Sequence, residues 1–256
     1  MAVLIEIEYP IYTIIINNPE VKNAVDGITA EELAEAFRGF ERDNKAEVAV
    51  LCGANGTFCS GANLKVITQG RGNRVQKEGD GPMGSTRMEL SKPVIAAVAG
   101  YAVAGGLELA IWCDIRIVER SAIFGVFNRR FGVPLIDGGT IRLPRLIGLS
   151  RALDMILTGR PITAEEAYSW GLANRIVDNG TSRHEAEKLG RKIAKFPKIC
   201  MRNDRMSTYN QFNLSLKEAL AKEFEYGLKT LESGEYLKGS EAFIGGKGKH
   251  GSFLNK

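Results

Sequence analysis

The sequence predicts an α/β fold. Strand-like and helix-like segments alternate through residues 1–190, and helical segments alone finish the chain. Two stretches that read as strands are followed by glycine-containing loops, at 59–64 and 104–109, the arrangement expected where strands of an α/β core deliver loops to a site. The chain of 256 residues is long enough for one large domain with an appendage, placed here at residues 1–195 and 196–256. A hydrophobic content of 44% and a charged content of 25% are ordinary for a soluble globular protein. The net charge of +4 is mild, and no basic run interleaved with aromatics accompanies it, so nucleic acid is not an expected partner.

Taken in order, residues 3–17 alternate and then run apolar (Val3, Ile5, Ile7; Ile11, Ile14, Ile16), which predicts a β-hairpin about Tyr9-Pro10. Residues 17–26 are loop. Thr29-x-x-Glu32 reads as a capping box opening a helix that carries Leu33, Phe37 and Phe40 on one face. Glu47–Cys52 is a buried strand followed by the glycine-rich loop GANGTFCSGANLK. Residues 66–92 hold five glycines among charged side chains and read as a mobile loop over a site or as disorder. Ile115–Val118 and Ile123–Val126 are strand-like, the segment 131–148 is turn-rich, and Ser150–Leu157 is a short helix closed by Gly159. Thr163-x-x-Glu166 is a second capping box, and Asn174–Asp178 ends the strand set. Helices follow at 183–195 and 214–231, the latter with Leu216, Leu220, Phe224, Leu228 and Leu231 on one face. The tail from Gly245 is basic and glycine-rich.

The stretch Ser91–Asp114 carries the first chemical signal. Pro93–Val98 has strand composition, Gly105-Gly106 reads as a tight turn, and Leu107–Cys113 as the start of a buried helix. A helix opening at such a turn presents unpaired N–H groups and the positive end of its dipole, which suits a developing anion. Glu108 lies in its first turn. The loops CSGANL at 59–64 and AGGLEL at 104–109 each follow a strand, so each can aim one backbone N–H at a single oxygen, as acyl chemistry requires when a carbonyl becomes an enolate. Dinucleotide and P-loop glycine spacings are absent, which argues against dinucleotide or ATP phosphate cradling. Cys52, Cys59, Cys113 and Cys200 show no zinc spacing and the chain has only two histidines, so no metal is expected. Unpaired core thiols and an N-terminus that reads as strand rather than signal peptide point to the cytoplasm.

In this order and spacing, PEVKNAVD at 19–26, FCSGANLK at 58–65, the stretch 91–117, FGVPLIDGGTIRLPRLIG at 131–148 and LTGRPITAEEAYSWGLANRIV at 157–177 resemble the crotonase family of enoyl-CoA hydratases and isomerases. The resemblance implies a crotonase-like ββα spiral core with a C-terminal helical trimerisation region, assembled as a homotrimer or a pair of trimers. It also implies an acyl-CoA substrate, no cofactor beyond the coenzyme A of that substrate, and no membrane. The Ala62 and Gly105 N–H groups would form the oxyanion hole. Lys22, Ala24, Ser60, Ala62 and Leu64, with Gly61, Asn63 and Gly106 of the same loops, would line the coenzyme A path, and Phe243 and Lys247 would approach it from the C-terminus, of this or a neighbouring subunit.

Family hydratases use two glutamates. The first matches Glu108, and the second falls at Asn128, which cannot shuttle a proton. In relatives a catalytic aspartate occupies the turn that here reads Asp137-Gly138-Gly139-Thr140, so Glu108 and Asp137 are expected to form the acid–base pair. Asp-Gly sequences also favour a turn in which the aspartate bonds only its own backbone. The leading expectation is hydration of a 2-enoyl-CoA. An enoyl-CoA isomerase using mainly one carboxylate is the alternative, and a weakly catalytic coenzyme A- or RNA-binding scaffold, through Lys188, Arg191, Lys192 and Lys195, is a third.

Overall fold

A computed structural model describes residues 1–67 and 69–248. The chain divides into two compact units, Met1–Ile193 and Ala194–Lys256.

In the first unit, β1 (Val3–Glu8) and β2 (Ile11–Ile16) form the hairpin around a cis Tyr9-Pro10 bond. Then come α1 (Gly27–Arg42), β3 (Val48–Gly53), the single turn α2 (Leu64–Ile67), β4 (Val94–Val98), β5 (Tyr101–Val103) and α3 (Gly105–Trp112). They are followed by β6 (Ile115–Glu119), β7 (Ile123–Gly125), α4 (Gly139–Ile147), α5 (Leu149–Thr158), β8 (Ile162–Thr163), α6 (Ala164–Ser169), β9 (Arg175–Val177) and α7 (Ser182–Ile193). The main sheet has the order β1-β2-β3-β4-β6-β9 and is parallel from β2 onward; a small sheet has the order β5-β7-β8.

This ordering is a spiral. After β4 the chain crosses to β5 in the small sheet and then enters α3; after β6 it crosses to β7 and proceeds to α4 and α5. The preceding turn repeats the path in miniature: β3 leads to Cys59, which bridges Ala102 of β5, and then to α2. Parallel strands covered on both faces must be apolar throughout. The sequence supplies this in IYTIII of β2, whose six residues are all buried. α1 packs against β1 and β2, and α7 against β2, β3, β4 and β6. Gly190 permits that close approach, because a Cβ there would lie 2.7 Å from Ile11 Cδ1.

Three local expectations are corrected. The N-cap of α1 is Asp26, which accepts from Thr29 N at 2.9 Å, while Glu32 instead ties down the N-terminus by accepting from Ala2 N and Val3 N at 2.9 and 2.8 Å. α3 begins at Gly105 itself, so the glycine pair is its first two residues. The turn-rich segment holds α4, which tolerates Pro144 in a helix of nine residues.

The second unit contains α8 (Lys198–Asn210), α9 (Leu216–Glu232) and α10 (Glu235–Ile244). Ser215 and Glu218 make a reciprocal capping box at the start of α9. The predicted apolar face of α9 is left exposed by this chain, from Leu228 at 43% to Leu216 at 77%. The end of the basic tail, 249–256, lies outside the described residues.

Candidate active site

The spiral brings the two glycine loops side by side. Cys59 N donates to Tyr101 O at 2.8 Å and Val103 N to Cys59 O at 3.1 Å, so the residues after each bridge emerge together. A Cβ on Gly61 would lie 3.0 Å from Gly105 N. The first loop is held on its other side by residues 21–25. Ser60 N donates to Lys22 O at 3.1 Å, Val25 N to Gly61 O at 2.8 Å, and Asn63 N to Val25 O at 2.8 Å. These bonds skip Ala62 N. Among the described residues, neither the Ala62 nor the Gly105 N–H has an acceptor.

The second loop turns into α3 through Ala104, at φ 52° and ψ −127°, a conformation that alanine adopts only under strain. Gly106 behind it is sterically required: a Cβ there would lie 2.1 Å from Cys59 O. Cys59 is buried, and desolvation pushes its thiol up to about 12, so it serves packing rather than nucleophilic chemistry.

Glu108 follows in the first turn of α3 and is 2% exposed. Its Oε1 accepts from Asp137 N at 2.9 Å and Gly139 N at 2.8 Å, capping the N-terminus of α4. Those two bonds favour the carboxylate, but burial and the neighbouring Asp137 charge oppose them. Burial wins, and the Glu108 carboxyl is pushed up to about 7. Asp137 is also buried, and its Oδ1 accepts from Met83 N at 2.9 Å and from Thr86 Oγ1. Desolvation again outweighs these bonds, and its carboxyl is raised above the ordinary aspartate range. Each carboxyl is thus gripped through one oxygen, and no bond to the other is recorded among the described residues.

Both carboxyls line a cavity of about 330 Å³ together with Ala62 and Gly105. Leu64, Val75, Met83, Phe127, Phe131, Val133 and Ile136 make most of its wall apolar. A hollow elsewhere, between α1 and residues 74–87, mixes Arg38, Arg74 and Arg87 with Glu31, Glu35 and Asp80, and holds none of the candidate residues.

Ser60, Ala62, Leu64, Gly105, Glu108 and Asp137 therefore converge on one cavity. Gly61, Asn63 and Gly106 shape the loops behind it, and Asn63 Oδ1 accepts from Lys65 N at 3.2 Å as α2 begins. Ala24 is buried beside the first loop, and Lys22 holds its ammonium 4.9 Å from the centre of the Tyr101 ring. Phe243 and Lys247 belong to the second unit, where Phe243 is an exposed residue of α10. On α7, Lys188 pairs with Glu185 at 3.2 Å and Arg191 with Glu8 at 2.9 Å, so part of the basic face is already neutralised. Among the described residues no acidic, cysteine or histidine cluster is arranged to hold a metal, and no helix is long and apolar enough to cross a membrane.

Met83, Thr86 and Arg142 escaped the sequence reading. Arg142 donates to Asp137 O at 2.8 Å and to Thr86 O at 2.7 Å, locking the Asp137 turn to the segment carrying Met83 and Thr86. The available signal was MGST at 83–86, an uncharged run inside an otherwise charged loop.

Residues 6–250 match the family model described as enoyl-CoA hydratase/isomerase. The chain is 35% identical over 211 residues to a carnitinyl-CoA dehydratase of Salmonella arizonae, covering 82% of this chain and 80% of the relative. It superposes on an enoyl-CoA hydratase of Mycobacterium marinum with a TM-score of 0.90, at 32% identity and 95% coverage of both chains. An enoyl-CoA hydratase of Bacillus anthracis gives a TM-score of 0.85 at 29% identity, covering 95% of this chain and 96% of that one. The fold expected from the resemblance is thereby established.

Proposed function

Because the chain belongs to the enoyl-CoA hydratase/isomerase family, the crotonases, we propose that it adds water reversibly across the double bond of a 2-enoyl-CoA thioester. The observation that carries this reading is the meeting of two unpaired backbone N–H groups and two buried carboxyls in one largely apolar cavity. The thioester oxygen accepts from the Ala62 and Gly105 N–H groups. Charge on that oxygen grows as the enolate forms, so the two bonds strengthen on the way to the transition state and lower the barrier.

Glu108 and Asp137 work as a coupled pair holding one proton between them. Two carboxyls that repel one another in a desolvated site lose their protons in separate steps, which leaves a pH window with a single proton on the pair. The ionised member takes a proton from the attacking water, and the protonated member delivers its proton to the α-carbon. Run backwards, the same steps remove water from a 3-hydroxyacyl-CoA, the direction that the dehydratase names of some relatives describe. Coenzyme A enters as part of the substrate, and the family's trimeric assembly would cover the exposed face of α9.

A second reading, isomerisation of a 3-enoyl-CoA, needs only the enolate and one mobile proton. The uncharged Asn128 in the cavity wall favours it.

The test follows loss of the conjugated-thioester absorbance with a short 2-enoyl-CoA. Hydration by the pair predicts that Glu108→Gln and Asp137→Asn each lower kcat by roughly 10²–10⁴-fold. A wild-type protein inert toward 2-enoyl thioesters but active on 3-enoyl thioesters would replace hydration with isomerisation. Near-normal activity in Asp137→Asn would reduce Asp137 to a turn residue.

A further inference from the structure

Arg87 is an exposed residue outside the active cavity, yet it bonds two of the segments that complete it. The stretch from residue 72 to residue 82 is one wall of that cavity. Asn73, Val75 and Pro82 line the cavity, whereas Arg74, Gln76 and Glu78 line the charged hollow beside α1. Among the described residues, no backbone-to-backbone hydrogen bond reaches residues 72–79. Asn73 Nδ2 ties the ends of the stretch together by donating to Pro82 O at 2.9 Å. Its middle is held by Arg87, whose Nη1 donates to Gln76 O at 2.7 Å and to Lys77 O at 3.0 Å.

The same guanidinium reaches the acid–base turn, where Arg87 Nη2 donates to Ile136 O at 3.4 Å. That oxygen belongs to the peptide whose N–H, on Asp137, donates to Glu108 Oε1 at 2.9 Å. One peptide unit thus stands between the guanidinium and the Glu108 carboxyl, and a cation drawing on its oxygen strengthens the donor at its other end. A Cβ on Gly81 would lie 3.2 Å from Asp137 Oδ1 and 3.4 Å from Arg87 Cγ, so the arginine stem and the Asp137 carboxyl approach the same glycine. Burial raises the Asp137 carboxyl; Arg87 and Arg142, the cations facing it, oppose that rise, and Glu108 is the facing acid.

We propose that Arg87 is a positioning residue: its planar fork fastens the 72–79 wall to the Ile136–Asp137 peptide, so that closing the cavity and setting the acid–base pair are one event. The chemical half of this role rests on the hydration reading above; the fastening does not. Two properties of one side chain do the two jobs. The fork reaches three carbonyls at once, which a compact lysine ammonium does not span, whereas the positive charge that favours an ionised carboxyl is kept by lysine.

Arg87→Met and Arg87→Lys separate the two jobs. Arg74→Met is the comparison, since it removes a cation from the same hollow but none of these bonds. Cleavage after Glu78 by a glutamate-specific protease, sited by mass spectrometry, reads the wall without any substrate. It should be selectively faster by roughly tenfold in both Arg87 variants, the worth of one or two hydrogen bonds from a charged donor at an exposed site. With a short 2-enoyl-CoA, Arg87→Met should lower kcat/KM roughly tenfold and move its acidic limb up by about half a pH unit, because the ionised carboxyl loses a facing cation. Arg87→Lys should keep the acidic limb of wild type, and Arg74→Met should match wild type in both measurements. Wild-type cleavage in either Arg87 variant, acceleration at every glutamate alike, a limb unmoved in Arg87→Met or moved equally in Arg87→Lys, or the same changes in Arg74→Met overturns the assignment. Wild-type protein inert toward 2-enoyl-CoA refutes hydration, and cleavage alone then decides the fastening.

Discussion

Replacing Glu108 by glutamine should make the protein more stable at alkaline pH while disabling it. The carboxyl rises from an ordinary 4.5 to about 7 on folding. Proton binding therefore favours the folded state: the stabilisation is complete below pH 4.5, declines as pH rises, and is gone above about pH 7, where the buried site must hold an ionised group. At 1.36 kcal/mol per pH unit, the rise corresponds to roughly 3 kcal/mol. Glutamine keeps an acceptor for Asp137 N and Gly139 N but never ionises, so it escapes this loss. Urea unfolding of wild type and Glu108→Gln at pH 5 and pH 8 tests the reasoning. The variant should gain up to about 3 kcal/mol relative to wild type between the two conditions, and the enoyl-CoA assay should show it inactive. A stability difference that is the same at both pH values would show that Glu108 does not ionise at the cost assigned to it.

Other perturbations have equally definite signs. Thr86→Val removes a hydrogen bond that favours ionised Asp137, so the acidic limb of the kcat/KM profile should move to higher pH. Gly106→Ala drives a Cβ into the Cys59 carbonyl and should destabilise by about 1–3 kcal/mol in urea unfolding, with loss of activity. Gly105→Ala meets the flexible Met83 side chain, whose Sδ is 2.6 Å from the new Cβ; it should cost less stability but still lower kcat, because Met83 N holds Asp137. Ala104→Gly releases a strained φ of 52° and should stabilise by up to about 1 kcal/mol in the same unfolding measurement.

Much of this was legible in the sequence, for identifiable reasons. Short apolar runs rich in β-branched residues and bounded by turn signals, such as Val94–Val98, read as strands buried on both faces, and glycines where a Cβ would strike backbone mark the loops at 61 and 106. Glu108 stood out as the lone charge among apolar neighbours. The anchoring of Asp137 was hidden, because its partners Met83 and Thr86 are fully buried side chains in a stretch whose glycines and charges read as mobile. Gly84 explains the discrepancy: a Cβ there would lie 2.3 Å from Ala30 O, so this glycine marks close packing against α1 rather than freedom. Composition cannot distinguish these two uses of glycine. The reach of Arg87 was equally invisible, since it depends on where the Gln76, Lys77 and Ile136 carbonyls fall.

The hydrogen bonds that Glu108 accepts from Asp137 N and Gly139 N carry a consequence for transplantation. The residue that bears one carboxyl is also the anchor of the other, and Met83 and Thr86 fix that residue in turn. The chemistry is thus encoded by a closed circuit of three short segments, 83–86, 105–108 and 137–139, rather than by two separable side chains. A designer grafting the pair onto another scaffold would have to move all three as one block, because a carboxyl transferred alone arrives without the neighbour that sets its proton affinity.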